Sequence, residues 1–182
     1  MTILSILLFI AIFYTNGFNE ESTRLVIRLT ARFAVIFFCL AFGASAFHNW
    51  LKMSFSWWLF MNRKFWGISF AYIHLVHLGF LFLLQNSFHP VFEQADVTSL
   101  LGGGLAYVFL ILMLLTSFPF FANKISKANW KRLHTLGGYW IWLIFMISYV
   151  KRVETEIEFL PMIILFVGGV VLRLWKIKPY IP

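Results

Sequence analysis

The chain reads as an all-α polytopic membrane bundle of six transmembrane helices. Three observations predict it. Hydrophobic residues make up 61% of the 182 positions, and the mean hydropathy is +0.83. Only 12% of residues are charged, against about 25% in an ordinary soluble domain. The apolar residues also gather into six continuous runs, each near the roughly 20 residues that a helix needs to cross a bilayer. Such a chain cannot coat a soluble globule. The composition excludes a soluble monomeric enzyme, a disordered tail and a nucleic-acid-binding domain. The net charge of +8 does not restore a nucleic-acid role, because the 15 Lys and Arg sit in short clusters between apolar runs, as membrane loops do.

The six segments fall at 3–18, 26–47, 65–88, 100–121, 130–150 and 159–175. Their runs are continuous and not alternating, which argues against a barrel and leaves helices to satisfy the backbone in lipid. The first is short but has neither a basic start nor a small-x-small cleavage site, so it is expected to be a retained helix. Gly102, Gly103 and Gly104 open the fourth segment, where they suit close helix packing better than phosphate binding. The single Cys39 lies in an apolar run and reads as a small buried residue. No repeat, linker or dinucleotide fingerprint appears, so residues 1–182 form one domain.

Charge sorting predicts the orientation. One set of loops and ends carries Lys52, Arg63, Lys64, Lys124, Lys127, Lys131, Arg132, Arg173, Lys176 and Lys178 without an acid. The other carries Arg24, Arg28, Arg32, Lys151 and Arg152 with Glu20, Glu21, Glu93, Asp96, Glu154, Glu156 and Glu158. The positive-inside rule puts the first set, and with it both termini, in the cytoplasm. Trp50, Trp57, Trp58, Trp66, Trp130 and Trp175 then form an aromatic belt at the cytoplasmic interface.

Ionisable residues within the membrane are the candidates for chemistry. His74 and His77 lie about 13 and 18 Å into the third segment, near mid-bilayer, and share a face at i, i+3. A neutral imidazole at that depth needs a metal, a haem iron or a hydrogen-bonding neighbour. His134 lies one turn into the fifth segment, with Gly137 and Gly138 after it. Those glycines leave room for a flat macrocycle, or for a neighbouring helix. His48 ends the second segment, and His89 beside Pro90 reads as a solvated loop residue. Arg24, Arg28 and Arg32 form one stripe at i, i+4, i+8, which suits haem propionates or lipid phosphates, and Arg32 is the deepest. The segments contain no Asp or Glu, so carboxylate metal sites and serine-hydrolase triads are excluded. Haem fits the remaining pattern of apolar aromatic slot, axial His and basic rim.

Two motifs carry a family resemblance. One runs from Arg63-Lys64-Phe65-Trp66-Gly67 through Tyr72 to Leu75-Val76-His77-Leu78. The other is Leu115-Thr116-Ser117 followed by Asn129-Trp130-Lys131-Arg132-Leu133-His134. With a fainter Thr30-Ala31-Arg32 signal, the chain resembles the ferric-reductase-like transmembrane family. It is most similar to haem-binding membrane subunits of bacterial periplasmic methionine-sulfoxide reductase systems. The match is strongest over 62–150.

The resemblance implies a haem b protein of the bacterial inner membrane. It would pass electrons from a quinol or a cytoplasmic reductase to an acceptor outside, such as a periplasmic redox protein. His77 and His134 match the ligand histidines, while a further family His is replaced by Ile147. His77 and His134 are offset by about 12 Å along the membrane normal, and His74 lowers the offset to about 7 Å. His48, Met113 and Met146 are therefore further ligand candidates, and fewer than two haems are expected. A degenerate, non-redox scaffold of the same fold is the alternative. The basic cluster Lys124, Lys127, Lys131 and Arg132 suits an acidic partner or lipid headgroups.

Overall fold

The computed structural model describes residues 2–89, 97–153 and 157–175. Among the described residues eight α-helices follow in order: α1 (Thr2–Asn16), α2 (Glu20–Leu51), α3 (Ser54–Met61), α4 (Arg63–Phe88), α5 (Val97–Leu115), α6 (Pro119–Ala122), α7 (Lys127–Val153) and α8 (Leu160–Leu174). A 3-10 turn, Ile157–Phe159, precedes α8. No strand occurs among the described residues. The helices α2, α4 and α7 are long and apolar enough to cross a membrane. Three further apolar helices, α1, α5 and α8, are shorter.

The long helices overrun the segments expected from hydropathy, and local chemistry explains why. Asn19 caps α2 by accepting the Ser22 N–H at 2.8 Å, and Glu20 and Glu21 occupy the first turn, where the helix dipole favours acids. At the other end Lys52 takes a left-handed conformation (φ 47°) and returns its N–H to the His48 carbonyl. Between α2 and α4 an eight-residue helix stands where a loop was expected. Its Ser56 hydroxyl is fully buried, donates to the Met53 carbonyl at 2.8 Å and accepts the Met53 N–H at 3.0 Å. The fourth segment ends early, at Leu115. A turn and Pro119 follow, and proline suits only the first turn of the new helix.

Neighbouring helices alternate in direction. Ser45 meets Arg63 at one end of the α2–α4 pair and Thr30 meets His77 farther along, so the two run antiparallel. Thr116 with His134 and Gly102 with Trp140 give the same relation for α5 and α7. Phe38 with Phe166 and Phe42 with Arg173 set α8 parallel to α2. Lys52, Arg63, Lys127 and Arg173 therefore gather at one end of the bundle, and Glu20, Glu21, Lys151 and Arg152 at the other. Trp50, Trp57, Trp58 and Trp175 are exposed at the basic end. Lys176, Lys178, Glu93, Asp96, Glu154 and Glu156 lie outside the described residues.

The centre is aromatic. Phe38, Phe70, Phe145 and Phe166 are buried, with Phe145 within 5.3–6.0 Å of the rings of Phe38, Phe70, His74 and Phe166. In lipid such contacts hold helices together through packing, because the tails outside are equally apolar. Glycine permits the tightest approach at two places. A Cβ on Gly137 would stand 2.5 Å from the Met113 sulfur, and one on Gly102 would stand 2.9 Å from Ile144. Gly103 and Gly104 face open space, so only the first residue of that glycine run packs closely.

Candidate functional site

His77 is held by α2. Its Nδ1 lies 3.1 Å from the Ile27 carbonyl oxygen and 3.1 Å from Thr30 Oγ1. A carbonyl only accepts, so Nδ1 carries the proton and Nε2 keeps the lone pair. Thr30 is fully buried, and its hydroxyl donates to the Val26 carbonyl at 2.8 Å. It can therefore receive the shared imidazole proton. An Nδ1–H fixed by a backbone carbonyl is the arrangement that orients a histidine for metal binding through Nε2.

His74 stands one turn away on the same face. Its ring stacks on that of His77 at 5.4 Å and 4°, and on Tyr107 of α5 at 4.9 Å and 14°. Phe70 stacks on it, and Phe145 of α7 meets it edge-on at 5.3 Å. The His74 Nδ1 is buried without a hydrogen-bond partner. An orphaned polar atom of this kind costs on the order of 1–3 kcal/mol. The pair thus combines one well-oriented imidazole with one buried atom that has bonding capacity to spare.

His134 is not brought to that pair. Its Nε2 lies 3.0 Å from Thr116 Oγ1, whose hydroxyl donates to the Leu112 carbonyl at 2.7 Å. The imidazole N–H therefore points to Thr116. Trp130 stacks on the ring at 4.1 Å, and its Nε1–H donates to the Thr116 carbonyl at 3.0 Å. That carbonyl lies beyond the end of α5, where the helix cannot supply a donor. His134 and Trp130 together fasten α7 to the end of α5. The room expected beside His134 is filled, since Met113 and Phe109 occupy the surface of Gly137 and Phe42 that of Gly138.

The remaining candidates also separate. The His48 Nδ1 lies 3.1 Å from Ser56 Oγ, and its ring packs on Trp57 and Phe60, so it ties α3 to the end of α2. Arg24 pairs with Glu20 at 2.7 Å. Arg32 stands two residues from Thr30, about 200° around the helix, and so leaves the face that holds His77. Its guanidinium lies 5.5 Å from the Phe159 ring centroid, and that of Arg152 lies 5.6 Å from the same ring. Met113 packs at the level of Gly137, while Met146 packs against the central cluster. Ile147 is 44% exposed and turned outward. His89 caps α4 and is exposed, as expected of a loop residue. No cluster of three or more metal-ligating side chains occurs among the described residues.

Sequence reasoning missed Tyr107 and Phe145, the two rings that enclose His74. One is a tyrosine in an apolar run and the other one phenylalanine among 23, and neither carries a local signal. Together the apolar helices, alternating directions and charge-sorted ends define a helical membrane protein. No protein-family model matches the chain, and no curated protein or solved structure matches it either.

Proposed function

We propose that this chain is a haem b-binding electron-transfer protein with six spans and both termini on the cytoplasmic side of a bacterial inner membrane. The sequence motifs around His77 and His134 suggest it. The observation that carries it is the hydrogen bond from His77 Nδ1–H to the Ile27 carbonyl, which leaves Nε2 available to an iron. His77, with its orienting carbonyl and hydroxyl, would hold the iron, beside the orphaned atom of His74. The donor set does not fit a bis-histidine site with His134, because Thr116 holds that imidazole elsewhere.

The group would supply a one-electron couple in a low-dielectric interior. The protein's own part is positioning and exclusion. Ile27 and Thr30 fix the tautomer and plane of His77. Phe70, Tyr107 and Phe145 keep water from the histidine pair. A quinol or a cytoplasmic reductase would donate, and an acceptor outside the membrane would receive. The basic residues Lys124, Lys127, Lys131 and Arg132 at one end suit docking of an acidic partner.

A second reading is favoured by two observations. Phe145 fills the space between α4 and α7 beside His74, and Ile147 faces outward. A non-redox scaffold of the same fold would pack in this way. A reduced-minus-oxidised spectrum of the protein, purified after expression with added haem precursor, separates the two. A b-type Soret and α band supports the haem reading, and their absence overturns it in favour of the scaffold.

A further inference from the structure

Between α2 and α8 lies a cavity of about 330 Å³. Phe38, Cys39, Gly43 and Phe47 of α2 and Phe166, Gly168, Gly169 and Leu172 of α8 line it, together with Trp142 of α7 and Leu59 of α3. None of the histidines lines it. A Cβ added at Gly43, Gly168 or Gly169 would meet no atom within 4 Å. Small residues on facing membrane helices ordinarily let the backbones close together. Here they face each other across an open gap, although Phe38 and Phe166 touch at one end of it. From Cys39 to Phe47 the slot follows α2 for about 12 Å, most of the roughly 15 Å that one leaflet of hydrocarbon occupies.

The lining itself is uncharged, and Arg173, next in sequence to the lining residue Leu172, stands against Phe42. Arg173 donates from Nη1 to the Phe42 carbonyl at 3.2 Å, and its guanidinium lies 4.3 Å from the Phe42 ring centroid and 5.0 Å from that of Tyr139. Phe42 is itself a wall of the slot. Arg63, at the same basic end of the bundle, donates from α4 to Ser45 Oγ of α2 at 2.9 Å. An apolar channel of leaflet depth with an anchored guanidinium at its basic end matches one molecule, an anionic phospholipid. We propose that the slot holds one of its acyl chains, between α2 and α8, with its phosphate on Arg173. The gap left by three glycines and the position of Arg173 carry this inference independently of any haem.

Native mass spectrometry of the delipidated full chain, titrated with palmitoyl-oleoyl phosphatidylglycerol or the matching phosphatidylcholine, tests it. One tightly held phosphatidylglycerol is expected, with phosphatidylcholine weaker by about tenfold. Gly168→Leu with Gly169→Leu fills the slot and should weaken phosphatidylglycerol by about tenfold or more. Arg173→Gln should abolish the preference between the two lipids. Gly103→Leu with Gly104→Leu, on a different helix, should leave both unchanged. Equal binding of the two lipids to the wild type, or undiminished binding to the filled slot, overturns the proposal. Cys39 is the only thiol and lines the slot, so the unaltered protein offers a second readout should the filled variant fail to fold. Phosphatidylglycerol should slow its alkylation by N-ethylmaleimide several-fold. An unchanged rate, or equal protection by an uncharged prenyl alcohol, contradicts the assignment.

Discussion

The Nδ1 of His77 lies 3.1 Å from the carbonyl oxygen of Ile27, across the α2–α4 interface. That single contact fixes which nitrogen of a mid-helix imidazole bears the proton. It also explains the role of Thr30, whose buried hydroxyl stands equally near the same nitrogen. Thr30→Val keeps the shape but removes the oxygen. If His77 is an axial ligand, haem retention should fall by about 10–100-fold, the usual cost of losing an outer-shell partner. Titration of the purified variant with haem measures it.

Thr116 plays a different part. It receives the His134 imidazole and the Trp130 indole at the junction of α5 and α7. Thr116→Val should weaken the association of the two helices by about 0.6 kcal/mol, the average for an interhelical hydrogen bond in a membrane protein. It should leave the haem spectrum unaltered. Reversible unfolding in mixed micelles, read beside the spectrum, checks both.

Glycine contacts give a contrast on stability. Gly137→Leu drives a side chain into Met113 and Phe109, and overpacking of this kind costs on the order of 1–3 kcal/mol or more. Gly103→Leu enters open space and should change stability little. Thermal denaturation of the two variants in one detergent, read as a difference in midpoint, makes the comparison.

The helical class was legible because its cause is local: long apolar runs leave a backbone no alternative to helix in lipid. Charge sorting was legible for the same reason, and the alternating helices do carry Lys52, Arg63 and Arg173 to one end. The boundaries were less so. The extension of α2 back to Glu20 depends on the Asn19 cap, and α3 depends on a hydroxyl that satisfies both sides of a turn. The site was legible only in its histidines. His77 could be singled out by depth, but its main partner is a backbone carbonyl, which has no letter in the sequence. His134 looked equivalent because spacing along one helix says nothing of Thr116 on the next. Phe145 and Tyr107 enclose His74 from helices distant in sequence, a fact that periodicity cannot contain.

The most direct test compares His77→Ala with His134→Ala, each expressed with haem precursor and read by a reduced-minus-oxidised spectrum against the wild type. The account predicts b-type bands in the wild type, their loss in His77→Ala and their retention in His134→Ala. Bands that survive in His77→Ala, or vanish only in His134→Ala, would contradict it.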